Sequence, residues 1–142
     1  MIIFDIPGQP VAKGRPRFAR RGAFVSTYTP KKTEVYENLV KAAAFTAMAG
    51  RSPLVCPVIL HVVINLQIPV SWSKRKQAKA AIGEVAATKK PDADNVLKSV
   101  KDGVNGVVWR DDSQVIQVML TKRYSEIPSV AVRIEESSLE CA

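Results

Sequence analysis

The sequence has 142 residues, of which 46% are hydrophobic and 24% are charged, and its formal net charge at pH 7 is +8. These values are typical of a single globular domain, spanning residues 1–142, and leave no room for a second catalytic domain. The apolar runs are short, so neither a membrane span nor a secretory signal is predicted, and we expect a cytoplasmic protein.

The histidine and cysteine content excludes several kinds of catalytic site. His61 is the only histidine and lies within an apolar run, so nucleophile chemistry that relies on a histidine base is not expected. Cys56 and Cys141 have the spacing of neither a disulfide framework nor a zinc site. Metal-assisted hydrolysis with oxygen ligands remains after this elimination.

A loop rich in positive charge follows the first predicted strand, Met1–Ile6. Phe24–Tyr28 predicts a second strand, in a hairpin with the residues before Gly22. Arginine side chains bind phosphate oxygens, and aromatic rings stack on exposed bases. We therefore predict that this loop contacts a nucleic-acid backbone rather than being only a solvated loop. The basic residues of this prediction are Lys13, Arg15, Arg17, Arg20 and Arg21.

The next segments predict a helix and then a central strand. Thr29 as N-cap and Pro30 at the first helical position indicate a helix that ends at Gly50. Val55–Ile68 is nearly apolar on both faces, which predicts a strand buried in the middle of a sheet. The predicted apolar face of the helix consists of Tyr36, Leu39, Val40, Ala43 and Ala47.

A second basic region precedes the middle of the chain. Ser71–Ile82 predicts a short helix, and Gly83–Thr88 predicts a loop. Runs of positive charge are usually solvated, but this one and the first loop flank a group of acidic residues and together predict a groove for a DNA strand. The residues predicted to bind DNA here are Lys74, Arg75, Lys76, Lys89 and Lys90.

Five aspartates lie between Lys89 and Val115 in this otherwise basic chain, and they are Asp92, Asp94, Asp102, Asp111 and Asp112. Two pairs of carboxylates from different segments are what a hard divalent cation requires. The alternative is that the first pair only caps a helix and the second only forms a polar turn.

The same block predicts a helix of about three turns. Pro91 disfavours helix before it, and Asn105 with Gly106 indicates the end. Val107–Trp109 then brings the chain back, and we expect this return to place the second acidic pair near the helix start. The apolar positions at helical spacing are Val96, Leu97, Val100 and Val104.

The last part of the chain predicts two strands, Val115–Tyr124 and Val130–Glu135. Together these elements predict a single α+β domain with a mixed sheet of about four or five strands, packed by two or three helices. The candidate site lies at the edge of the sheet, where the central helix begins.

Several of these residues form motifs whose order and spacing resemble those of the RusA family of Holliday-junction resolvases, chiefly its phage and prophage branch. The resemblance extends from about residue 7 to about residue 120. Its landmarks are Lys13–Arg17, Tyr28–Pro30, Pro69–Lys74, Asp92-x-Asp94-Asn95, Lys98, Asn105-Gly106, Trp109 and Asp111-Asp112-x-Gln114-Val115.

The resemblance implies a magnesium-dependent endonuclease that acts as a homodimer and cuts opposed strands of a four-way DNA junction during recombination and repair. The family's essential carboxylates correspond to Asp92, Asp94 and Asp112, and its catalytic lysine corresponds to Lys98. Asp111 matches as well and is predicted as a further metal ligand. A phage or prophage gene expressed in a bacterial cytoplasm is the implied source.

We hypothesise that these aspartates hold one or two Mg²⁺ ions, which activate a water and stabilise the phosphate during in-line displacement. Lys98 would steady the developing charge, and Asn95 would hold a carboxylate in place. Two alternatives stay open. One is a metal nuclease acting on flaps or other branched DNA, and the other is a DNA-binding protein with a decayed metal site.

Overall fold

The computed structural model describes residues 1–14, 17–22, 24–28 and 30–141. The strands within these ranges are β1 (Ile2–Pro7), β2 (Arg17–Arg21), β3 (Phe24–Tyr28), β4 (Val58–Gln67), β5 (Val115–Ser125) and β6 (Ser129–Glu136). The helices are α1 (Lys31–Met48), α2 (Lys74–Ala81) and α3 (Ala93–Val104).

A mixed sheet in the order β1-β6-β4-β5 forms the centre of the fold. Strands β4 and β5 are parallel, and the other neighbours are antiparallel. Strand β4 lies between β6 and β5, as its apolar sequence predicted. Strands β2 and β3 form a separate antiparallel hairpin around Gly22, which confirms the predicted hairpin. The predicted α+β class and mixed sheet are also confirmed.

The helices cover one face of this sheet. Alternate residues of β1, β4 and β6 point toward the helices and are buried with them in one core. The residues between them, such as Ile3 and Arg133, are exposed on the opposite face. None of the helices in the described ranges has the length and apolar composition needed to cross a membrane.

Helix α1 differs from its prediction at its start and on its buried face. Pro30 is the N-cap rather than the first helical residue, and the predicted cap Thr29 lies outside the described residues. Leu39 is 40% exposed because it faces an open groove beside β1, which Ile3 and Ala42 also line. The residues that α1 buries are Thr33, Tyr36, Val40, Ala44 and Met48.

Helices α1 and α3 pack closely where Gly103 faces Val40. Both residues are buried, and a Cβ atom at position 103 would lie 2.6 Å from the Cβ of Val40 and 3.0 Å from the carbonyl oxygen of Glu37. Real Cβ atoms do not approach a neighbouring side chain this closely. The absence of a side chain at position 103 therefore sets the separation of the two helices.

The first loop is tied to the same helix pair by Lys13. Its ammonium group bonds to the carboxylate of Asp102 on α3 and lies 3.5 Å from Oε1 of Glu37 on α1. The hydrogen bond to Asp102, followed by the charges of Asp102 and Glu37, raises the pKa of Lys13 above its usual value against the opposing effect of burial. The single positive charge of Lys13 therefore lies between one carboxylate of each helix and offsets the repulsion between them.

Backbone contacts strengthen this attachment. The Lys13 N–H donates to the carbonyl of Asn95 at 3.0 Å, and the Gly14 N–H donates to Oγ1 of Thr33 at 2.8 Å. A Cβ on Gly14 would lie only 2.8 Å from that hydroxyl oxygen and 2.9 Å from Cγ of Pro30. The loop is thus held against the start of both helices.

We predict that Gly103→Ala lowers the free energy of unfolding by about 1–3 kcal/mol, the usual cost of overpacking a core. This loss should exceed the gain of about 1 kcal/mol that alanine brings over glycine in a helix. Urea unfolding followed by circular dichroism measures the change. An unchanged or higher stability would contradict the close packing of α1 on α3.

We also predict a pH-dependent loss of stability for Lys13→Met, of roughly 1 kcal/mol or less because water screens a partly exposed pair. Since the folded-state pKa of Lys13 is raised, its contribution is complete below the unfolded value of 10.5 and disappears as pH rises through the folded value. Thermal melts should therefore separate the variant from wild type at pH 7–9, and the two should converge above about pH 10.5. The control is Lys41→Met, at an exposed lysine of α1, whose melting temperature should differ from that of the wild type by the same small amount at every pH.

Candidate metal centre

The first acidic pair lies at the start of α3. Asp92 occupies the N-cap position with extended backbone angles (φ −69°, ψ 140°), yet its side chain makes no capping hydrogen bond. Asp94 lies in the first turn of the helix, and both aspartates are exposed. The positive end of the helix dipole favours negative charge here. Helix capping therefore does not account for Asp92, and its carboxylate can accept an external ligand.

Two further predicted residues lie on the same helix. Lys98 is exposed and stands four residues after Asp94, which places the two side chains on one face of α3. Asn95 is half-buried, and its carbonyl accepts the N–H of Lys13. That Asn95 orients a carboxylate through its side chain stays a prediction.

A cleft of about 780 Å³ opens beside Asp92. Its walls come from the loop after β1, the start of α1 and the segment before α3, so three parts of the chain meet here. Lys32 and Lys90 give the cleft positive charge on the same lining as Asp92. The residues that line it are Gln9, Pro10, Val11, Ala12, Gly14, Pro30, Lys32, Thr33, Lys90, Pro91, Asp92 and Asn95.

The second acidic pair is positioned by a buried tryptophan. Trp109 is fully buried, and its indole N–H donates to Oδ1 of Asp112 at 2.9 Å. Asp111 instead caps the short 3-10 turn Asp112–Gln114, accepting the N–H of Ser113 at 2.9 Å. Hydrogen bonds from Ser113 lower the pKa of Asp111. The two neighbouring aspartates thus have different contacts, because one caps a turn and the other bonds to an indole.

The predicted return of this pair to the start of α3 is wrong. Asn105 forms a β-bridge with Trp109, and the Gly106 N–H donates to the Trp109 carbonyl, so the chain turns tightly at the end of α3. Helix α3 has 12 residues, which span about 18 Å and separate Asp94 from Asp112. Within the described ranges, no three acidic, histidine or cysteine side chains come together as a metal site.

The basic helix α2 begins at Lys74, three residues after the predicted start at Ser71. Lys74, Arg75 and Lys76 are exposed in its first turn, and Oγ of Ser73 accepts the N–H of Lys76 as the N-cap. The ammonium of Lys76 lies 4.0 Å from the ring centroid of Trp72, a cation–π contact. Lys74 and Arg75 therefore extend into solvent while Lys76 lies over an aromatic ring.

The other predicted DNA-binding residues have different surroundings. Lys89 and Lys90 are exposed just before Asp92, and Arg20 is exposed on β2. Lys13 faces the carboxylates of Asp102 and Glu37 instead of solvent alone. Arg15 and the side chains of Arg17 and Arg21 lie outside the described residues. Contact of this set with DNA stays a prediction.

One lysine outside the predicted site residues lies next to the segment that carries Asp92. Nζ of Lys122 on β5 donates to the carbonyl of Lys89 at 2.8 Å and to that of Pro91 at 3.1 Å. In the strand pattern, Lys122 takes the inward position between Leu120 and Tyr124. A lysine at an inward strand position was the available signal.

Comparison with known proteins gives the family of this chain. A family model described as Endodeoxyribonuclease RusA matches residues 7–135. A protein of Bacillus subtilis (strain 168), named "Uncharacterized protein YqaN", is 39% identical over 139 residues, which cover 96% of this chain and 97% of that protein. The match spans the loop after β1, the cleft and both acidic pairs, and the chain therefore belongs to the RusA endodeoxyribonuclease family.

Proposed function

We propose that this chain is a magnesium-dependent endodeoxyribonuclease that resolves four-way DNA junctions by paired symmetric nicks, in DNA recombination and repair. The main support is the exposed carboxylate of Asp92 in a cleft that also carries Lys32 and Lys90, with the exposed carboxylate of Asp94 two residues further along the chain. Membership of the family supports DNA as the substrate. Branched DNA is the specific substrate of this proposal.

The donor set at the start of α3 fits magnesium, which prefers charged oxygen ligands and binds through one or two carboxylates while it keeps several waters. When bound, the ion supplies a water of lowered pKa and neutralises charge on the phosphate. Asp92 and Asp94 would hold the ion at the mouth of the cleft. Lys98, one turn along α3, would donate to a phosphate oxygen as negative charge develops. Lys32 and Lys90 would bind the neighbouring phosphates.

A second copy of the chain is part of this proposal. One chain presents Asp92 and Asp94 at the start of α3, whereas the third predicted ligand, Asp112, lies beyond the other end of the helix. We propose that Asp112 of one copy completes the site of the other. Twofold symmetry then gives two equal sites, one for each of two opposed strands.

The free edge of β5 fits such a contact. Among the residues that the structure describes, β5 pairs with β4 on one side and with no strand on the other, so its outer edge carries unpaired backbone groups. Ile116, Val118 and Met119 are 51%, 39% and 53% exposed on this strand. An apolar strand edge of this kind is a template for pairing with another chain.

The register of this pairing can be stated. We propose antiparallel pairing of two β5 strands about Gln117, which would set Val115 of one copy opposite Met119 of the other and direct the turn Asp112–Gln114, which precedes Val115, toward Lys122 of the other copy. Lys122 bonds to the segment directly before Asp92. The proposed register therefore brings the two acidic pairs of different copies to one place.

We predict that Asp94→Asn separates cleavage from binding. Loss of a charged ligand should lower the rate of junction cleavage in magnesium at least 100-fold. Binding of the junction in chelator should hold or tighten by up to about fivefold, because one repulsive charge near the phosphates is worth about 1 kcal/mol in water. Cleavage is measured on a synthetic mobile four-way junction in gels, and binding by fluorescence anisotropy.

The control for this prediction is Asp5→Asn, the same change at an exposed aspartate of β1, which should leave both measurements unchanged. Linear duplex and flap substrates test the selectivity for junctions. Binding without cleavage by the wild-type protein in magnesium would contradict the proposed function. Equal cleavage of flaps and junctions would contradict the selectivity alone.

We further predict that two inactive variants restore each other. In a mixed dimer of Asp94→Asn and Asp112→Asn, one of the two shared sites contains both altered residues and the other contains neither. Mixing the purified variants should therefore recover about a quarter of the wild-type nicking rate, because half of the dimers are mixed and each has one intact site. A nicking assay on the junction, with sedimentation of the same mixture, measures this recovery.

A site built within one chain would give a different result. Every site in the mixed dimer would then carry one altered aspartate, and mixing would restore nothing. Sedimentation of the wild-type protein as a monomer at working concentrations would also contradict the shared site.

A further inference from the structure

Lys122 makes an unusual contact for a lysine at the edge of a sheet. It lies on β5 opposite Ile64 of β4, on the face of the sheet that the helices cover. The residue is half-buried, and its ammonium group donates to two backbone carbonyls, those of Lys89 and Pro91. Within the described ranges no carboxylate lies in ion-pair range of this ammonium, so backbone oxygens are what it binds.

The two carbonyls belong to the segment that leads directly into Asp92. Residues 82–92 connect α2 to α3, and Lys89 and Lys90 in this segment are exposed. Among the hydrogen bonds of the described residues, the two from Lys122 are those that fasten Lys89 and Pro91 to the sheet. Bonds from a charged donor are about twice as strong as neutral ones, so this attachment is firm.

We propose that Lys122 is a positioning residue for the metal site, because it holds the segment before Asp92 and so fixes the direction of the first carboxylate pair. This inference rests on the proposed function. Groups that orient metal ligands typically contribute 10–100-fold to metal affinity or activity. A fixed direction matters more here because one chain presents only Asp92 and Asp94 at this point.

A contact between Lys122 and the DNA phosphate would give a different pattern. A lysine that binds phosphate strengthens DNA binding and steepens its dependence on salt by about one unit per contact. The two carbonyls already engage the ammonium of Lys122. Its removal should therefore change metal affinity and catalytic rate more than DNA binding.

The test compares Lys122→Met, which removes the donors, with Lys122→Arg, which keeps a charged donor, and with the control Lys41→Met at an exposed lysine of α1. In Lys122→Met we expect kcat for junction cleavage to fall about 10–100-fold and the magnesium concentration for half-maximal rate to rise by a similar factor. Junction binding in chelator should stay within twofold of wild type. Lys122→Arg should recover most of the activity.

Hydrogen exchange without metal or DNA provides a readout independent of catalysis. Amide exchange measured by mass spectrometry on peptides covering residues 86–96 should be faster in Lys122→Met at the amides of Thr88 and Val96, which donate to the carbonyls of Ala86 and Asp92. Peptides covering the rest of α3 should exchange as in wild type, which separates local release from general unfolding. Lys41→Met should exchange as wild type throughout.

Three results would overturn the inference. These are unchanged exchange of the Thr88 and Val96 amides, an unchanged or lowered magnesium requirement in Lys122→Met, and a loss confined to DNA binding with a flatter salt dependence. Failure of the wild-type protein to bind magnesium or cleave junctions would contradict the proposed function instead. In that case the exchange measurement still decides whether Lys122 holds the segment.

Discussion

The close packing of α3 on α1 at Gly103 is the contact on which the positions of both acidic pairs depend. The helix backbone meets Val40 directly, so α3 has one fixed place over the sheet. Its start then lies beside Lys122, and its end lies beside the buried ring of Trp109. One acidic pair thus lies at the start of this helix and the other in the turn beyond its end, each next to a buried or half-buried neighbour.

The sequence predicted the features that local patterns determine. The strands were predicted from their alternating pattern, and the bounds of α3 from Pro91 before it and Asn105-Gly106 after it. The exposed position of the first acidic pair followed from the predicted start of α3. The position of Asp112 depends on Trp109, which pairs with Leu54 far away in the chain, and no local pattern contains that contact. The hydrogen bonds of Lys122 were not predicted for a similar reason. Every residue has a backbone carbonyl, so residue types do not indicate which carbonyls accept a bond.

Net charge alone overstates how much of this protein's positive charge faces a ligand. Lys13 is engaged by two carboxylates, Lys76 lies over the ring of Trp72, and Lys122 binds carbonyl oxygens. Each of these three lysines therefore makes a contact within the protein: one at the loop after β1, one at the start of α2 and one at the segment before α3. The remaining exposed lysines, including Lys32 and Lys90 at the cleft, are those best placed to attract a polyanion.

The separation of Asp94 from Asp112 by the length of α3 has a consequence for the cell under the proposed shared site. An isolated chain carries half of a ligand set, so hydrolysis requires two chains to meet and, at low abundance, the rate grows with the square of protein concentration. A few stray molecules diffusing along ordinary duplex would then leave it intact. Cutting becomes appreciable where chains accumulate, and geometry alone provides this safeguard without any inhibitor.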